Sequence, residues 1–224
     1  MKYLITFLLL LATFTSAAQL AIIQDKDGYT NVRADSSLKS DVLFRLIHGQ
    51  VFYDNYDSPI PNPDWRPVTF SEGPSPGNCY NPPGKSGFMH SSRILYLRDI
   101  KSKLIGKISG EQVTLKNDSI EVGLSVTKVL SQPKAECLLG MDQGVGQPDN
   151  KVSSIIVCIN NVPVSIPAEA TSFLYQVDKN TIQGYVYQNL ILITSGTNSA
   201  AGHYECVWVI KDGRYLKRFV YFGP

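Results

Sequence analysis

Four cysteines and three histidines are the side chains of this sequence best suited to nucleophilic or metal chemistry. A catalytic thiolate needs an electropositive setting, such as a helix N-terminus, and a histidine within reach to take its proton. Cys206 follows His203 by three residues inside an apolar, strand-like run, and an extended chain sends two side chains so spaced to opposite faces. Cys137 with His203 is the remaining pair, and nothing local supports it. Gly-x-Ser-x-Gly is absent, and Thr194-Ser195-Gly196 reads as a loop, not as a strand-to-helix elbow. No Cys-x-x-Cys occurs, the histidines are scattered, and Asp142 in the Gly140 to Gly146 segment lacks the run of oxygen ligands a calcium loop requires. Asp142, Glu169 and Glu205 are read as solvated surface charges. These patterns predict neither a catalytic centre nor a metal site or cofactor.

Aromatic side chains are the stronger candidates, and they are candidates for binding. Tyr53, Tyr56, Trp65, Phe70, Tyr80 and Phe88 crowd the first half of the chain, and small β domains bind peptides and sugars on aromatic-lined grooves. Trp65, Phe70 and Phe88 also suit the filling of a small core, while Tyr56 and Tyr80 sit in polar surroundings. Arg33 and His90 could hydrogen-bond a ligand carboxylate, although Arg33 could equally be a structural donor. The candidate ligand-binding set is therefore Tyr53, Tyr56, Trp65, Tyr80, Phe88, His90 and Arg33.

The elements that must position these residues read as nearly all β. Val, Ile, Thr and Tyr dominate the apolar positions, and Gly, Pro, Asn and Asp punctuate them. Ile120, Val122, Leu124 and Val126 alternate with Ser119, Glu121, Gly123 and Ser125, as a half-buried strand does. Asn160-Asn161 and Asp212-Gly213 suit two-residue hairpin turns, because these residues tolerate positive φ. Tyr204, Cys206, Trp208 and Ile210 share one face of a strand whose partner is Tyr215 to Phe222. Ala168 to Gln176 could hold one short helix.

Tyr29-Thr30-Asn31-Val32-Arg33-Ala34, then Val42 to Gly49, Asp64-Trp65-Arg66-Pro67-Val68 and Gly87 to Ile94 follow one another in a distinctive order. Across about Ala21 to Leu97 that order resembles the bacterial SH3-like (SH3b) family. The resemblance implies a small barrel that attaches to peptidoglycan, a wall peptide or a protein partner, often beside a second domain that supplies an activity. Two departures distinguish this chain. Ser58 to Pro63 lengthens the loop before Trp65, and Ser71 to Lys85 replaces a tight hairpin with a Pro/Gly-rich loop. The segment Ser195 to Tyr204 followed by Trp208 resembles a C-terminal pattern of exported bacterial proteins, and it carries no function.

The domain expectation is a leader over 1–18, an SH3-like domain over 19–98, a linker over 99–111 and a second antiparallel β sandwich or open barrel over 112–224. Lys2, the apolar run Tyr3 to Ala12 and the small residues Ser16, Ala17 and Ala18 fit a leader cleaved before Gln19, placing the protein in the periplasm or outside. In such a compartment Cys79 and Cys137, both among loop-forming residues, could pair as a disulfide clasp, while Cys158 and Cys206 sit in apolar strands where a thiol can stay reduced. Basic and acidic residues balance, 21 against 19 over the whole chain, so nucleic acid is not an expected partner. No later stretch is apolar enough to span a bilayer. The functional expectation is an exported binding protein without enzymatic activity. Its rivals are an envelope hydrolase acting through the second domain and a secreted inhibitor or immunity-type protein.

Overall fold

A computed structural model describes residues 19–54, 62–70, 84–133, 138–141, 146–197 and 202–222. Tyr56, Tyr80, Cys79 and Cys137 lie outside these residues, so their expected roles are not addressed by the structure. The fold is all-β, and the described residues build three antiparallel sheets of seven, five and four strands. Among the described residues no helix is long and apolar enough to cross a membrane.

The first sheet contains β1 (Gln19–Ile23), β2 (Tyr29–Arg33), β3 (Val42–Ile47), β4 (Val51–Asp54), β5 (Trp65–Phe70), β6 (Lys85–His90) and β7 (Ile94–Tyr96), in the spatial order β3-β2-β6-β5-β4-β1-β7. The sheet is strongly curled. Phe44 on β3 and Phe70 on β5 have ring centroids 6.4 Å apart, although a flat sheet would separate strands three places apart by about 14 Å. Curling lets Val32, Leu46, Phe52, Val68 and Met89, all essentially inaccessible, share one interior. Asp54 is buried at the end of β4, where its Oδ2 accepts from Nε and Nη2 of Arg66 at 3.0 and 2.8 Å and from the Tyr96 hydroxyl. This ion pair ties β4 to β5 and β7. Burial, reinforced by the Asp54 carboxylate, pushes the Tyr96 phenol up to about 12.

The second sheet runs β12-β11-β10-β9-β8, from β8 (Ile105–Ser109), β9 (Gln112–Lys116), β10 (Ile120–Lys128), β11 (Asn150–Ile159) and β12 (Val162–Val164). The third is a meander of β13 (Asp178–Tyr187), β14 (Leu190–Gly196), β15 (Tyr204–Lys211) and β16 (Arg214–Phe222). These two sheets face each other across a shared core of Val113, Leu115, Val122, Leu124 and Val157 against Ile191, Ile193, Cys206, Trp208 and Ile210. The turns are as the sequence predicts. Asn160 and Asn161 have φ of 50° and 64°, and Asp212 and Gly213 have 52° and 73°.

Residues 99–111 do not link freely. Leu104 is buried, its N–H donates to the Gly184 carbonyl at 2.9 Å, and the following β8 is a full member of the five-stranded sheet. The short helix expected within Ala168 to Gln176 is reduced to a 3-10 turn at Ala168–Thr171. Arg218 Nη1 holds the carbonyls of Ala170 and Ser172, and the Trp208 indole also donates to Ala170. Chain that a side chain has already tied down in this way has no need of a helix to satisfy its backbone.

The other face of the four-stranded sheet is also covered. Leu190, Leu192, Val207, Val209, Phe219 and Tyr221 join the core of the first module, packed with Ile22, Val51 and Tyr53. The Tyr221 hydroxyl donates to the Val51 carbonyl at 2.6 Å, and the ring of Tyr53 lies 4.6 Å from that of Tyr221. Gly49, at φ +88° in the turn between β3 and β4, meets this sheet so closely that a Cβ there would lie 2.9 Å from Leu190 Cδ2. The four-stranded sheet is therefore a central layer, buried on both sides.

Candidate ligand-binding cleft

On the outer surface of the first module, β2, β5 and β6 bring Arg33, Trp65 and His90 into one cleft of about 380 Å³. Strand geometry explains the convergence. Tyr29, Asn31 and Arg33 occupy alternate positions of β2 and so share a face, while Trp65 and His90 stand directly opposite each other on β5 and β6. Their rings meet edge to face, with centroids 5.6 Å apart. Trp65 is only 5% exposed, so it supplies a floor and not a stacking platform.

Both polar candidates are held in place. Arg33 Nη1 donates to the Ser40 carbonyl at 2.7 Å, which fixes the guanidinium at the cleft wall while leaving its other donors there. His90 Nδ1 accepts from the backbone N–H of Ser92 at 3.3 Å and lies 2.8 Å from the Ser92 hydroxyl. An Nδ1 that accepts a backbone N–H is unprotonated, which assigns the neutral ring's proton to Nε2 and makes Nε2–H a donor. The Ser92 and His90 contact has the length of a nucleophile–base pair. Its geometry is that of a local cap, with Nδ1 already engaged by the backbone and no described carboxylate orienting Nε2.

The remaining wall comes from residues the sequence reading did not single out. Asp25 Oδ1 pairs with Arg93 Nη1 at 2.9 Å and accepts the Asp27 N–H at 3.0 Å. Tyr29 and Asn31 are held from outside the lining by Arg45, whose guanidinium lies 4.7 Å from the Tyr29 ring centroid and whose Nε donates to Asn31 Oδ1 at 3.2 Å. Among the lining residues, the carboxylates of Asp25 and Asp27 balance the guanidinium groups of Arg33 and Arg93. Alternation along β2 was the signal available for Tyr29 and Asn31. Asp25 and Arg93 are distant in sequence and carried no local signal.

Two candidates stand elsewhere. Phe88 is half-buried and faces Arg33 and Pro67 across its neighbouring strands, but it does not line the cleft. Tyr53 is buried in the contact with the central sheet, where its hydroxyl donates to Glu205 Oε2 at 2.6 Å. Burial, and then the Glu205 charge, push that phenol far above its ordinary value. Glu205 is accordingly half-buried and engaged, not a solvated surface charge. Cys206 is fully buried and its thiol is pushed up to about 12 by burial, so it is held as a neutral thiol. Cys158 likewise forms no disulfide among the described residues.

No family model matches the sequence, and no curated protein or solved structure matches it either. The functional reading rests on the cleft and its chemistry.

Proposed function

We propose that this chain is an exported binding protein of the bacterial envelope, without enzymatic activity, and that its first module holds peptidoglycan, a wall peptide or a protein partner in the Arg33–Trp65–His90 cleft. The observation that carries the reading is the convergence of these residues, chosen as binding candidates from sequence, in one charge-balanced cleft. Fixed donors from Arg33 and His90 above an aromatic floor suit a peptide carboxylate or carbonyl, and the balance of Asp25 and Asp27 with Arg93 suits a zwitterionic or neutral chain. The ordered SH3-like motifs and the strong curl of the first sheet support the same assignment. The leader-like residues 1–18 support export.

The test is retention on purified wall sacculi. The protein is expected to co-sediment, and Arg33→Gln and His90→Gln are each expected to weaken retention about tenfold, the equivalent of one hydrogen bond to a charged or fixed group. Absence of retention by the unaltered protein, or full retention by both variants, would refute the wall-binding role of the cleft. Soluble fragments released from labelled peptidoglycan would refute the non-enzymatic reading.

A further inference from the structure

A second cleft, of about 440 Å³, lies where the first module meets the central sheet. Leu20 and Leu97 line it from the first module, and Gln183, Tyr185, Thr194 and Glu205 from the four-stranded sheet. Alternation sets this wall. Residues 183, 185, 194 and 205 belong to the sheet face that turns toward the first module, along with Leu192 and Val207.

Glu205 is the unmatched group of this cleft. Its Oε2 accepts the Tyr53 hydroxyl, but no described cation forms an ion pair with it. Arg98 and His203 are the basic residues lining the cleft; His203 makes no ion pair with Glu205, and Arg98 is drawn to the rim. Its Cζ lies 5.3 Å from the Tyr96 ring centroid and its Nε 3.8 Å from Asp99 Oδ1. Lys103 places its ammonium 5.5 Å from the Tyr185 ring centroid and likewise makes no ion pair with Glu205. The negative charge is felt locally, since it contributes to raising the phenols of both Tyr53 and Tyr185. Of the other polar groups, the buried hydroxyls of Ser195 and Thr197 have no hydrogen-bond partner among the described residues, whereas Gln183 and Thr181 are matched. Gln183 Oε1 accepts from the Tyr185 hydroxyl, and Thr181 Oγ1 exchanges hydrogen bonds with the backbone of Asp178 and Gly196. A partly desolvated carboxylate without a counter-charge is costly, and a ligand that brings a cationic donor relieves that cost.

We propose that this cleft binds a primary ammonium group on a short apolar stem, the chemistry of a lysine side chain. With Oε2 already accepting from Tyr53, a two-pronged guanidinium would have to share that oxygen with the hydroxyl, while a compact ammonium needs only the other oxygen. Leu20, Leu97 and Tyr185 offer apolar surface to the methylene stem. This site is separate from the Arg33–Trp65–His90 cleft and stands whether or not that cleft binds the wall.

Calorimetric titration of the purified protein with Nα-acetyl-lysine methylamide, and with its norleucine and arginine counterparts, tests the assignment. The lysine probe is expected to bind at least about tenfold more tightly than either counterpart, the value of one charge-assisted hydrogen bond. Glu205→Gln, which keeps an acceptor for Tyr53 and removes the charge, is expected to abolish that preference. Tyr53→Phe, which releases Oε2, is expected to raise the affinity for the arginine probe. Equal binding of the lysine and norleucine probes, no detectable lysine binding, or an unchanged preference in folded Glu205→Gln would each overturn the proposal. Should Glu205→Gln fail to fold, the comparison of the three probes on the unaltered protein decides it.

Discussion

The two sheets of the second half differ in how many faces they bury. In β10 of the five-stranded sheet, Ile120, Val122, Leu124 and Val126 are buried while the residues between them face outward. In β15 of the central sheet, every residue from Cys206 to Ile210 is inaccessible. One-sided burial gives alternation, and two-sided burial gives a continuous apolar run. The contrast shows that the first module is a layer of the same stack, not a bead on a string. Val207 and Val209 pack on it, and Tyr221 and Glu205 accept or donate hydrogen bonds across the boundary. Both clefts depend on this arrangement, since one is formed by the boundary and the other sits on the module that the boundary orients.

The sharpest way to break the comparison is to empty the centre. Trp208 is fully buried and its indole N–H donates to the Ala170 carbonyl at 2.7 Å. Trp208→Ala is expected to cost about 3–5 kcal/mol, from lost burial and the cavity left behind. Urea unfolding measures it, and a loss below about 1 kcal/mol would mean the centre is not the stabilising layer.

Alkaline pH attacks the same layer by charge. Tyr53, Tyr185, Tyr204 and Tyr221 on or against the central sheet all have phenols raised above their ordinary value of 10.0, chiefly by burial. Tyr215 and Cys206 are pushed up to about 12. Because the fold favours the protonated forms, the native state holds more protons than the unfolded chain once pH exceeds the unfolded tyrosine value. Stability from Cys206 is complete below pH 9 and that from the phenols below pH 10; both fall as pH rises to about 12, and the most deeply buried phenols go on losing it above that. The urea midpoint is expected to fall steeply across that window. A midpoint that stays level would contradict the burial of these phenols.

How much of this was legible from sequence follows the same contrast. The alternation of β10 and the Asn160-Asn161 and Asp212-Gly213 turns are local properties, fixed by side-chain direction and φ tolerance, and the structure has them where the sequence places them. In β15 the reading of Tyr204, Cys206, Trp208 and Ile210 as one face was right but incomplete. Val207 and Val209 are equally apolar, and periodicity cannot say that a second face is covered, or by what. The same blindness hid the bond between Tyr53 and Glu205, which spans 152 residues of chain and leaves Glu205 half-buried where the sequence suggested solvent. Within residues 99–111, a charged and glycine-containing sequence carries no sign of the docking of Leu104 against Gly184. Arg33, Trp65 and His90 did converge, since strand register within one small module is enough to bring them together.

The smallest expected effect tests the outer side of the comparison. Ile156 on β11 is 61% exposed and stands opposite Gly123, which offers no side chain to pack against. If the five-stranded sheet truly buries one face, Ile156→Ser removes little apolar contact and should change stability by no more than about 0.5 kcal/mol. The substitution exchanges a β-branched residue for one that favours strands less, so a small loss is expected over a gain. Urea unfolding at two protein concentrations makes the outcome decisive. A loss above about 1 kcal/mol that grows with concentration would show that a second copy covers this face, and the one-sided reading of the sheet would fall.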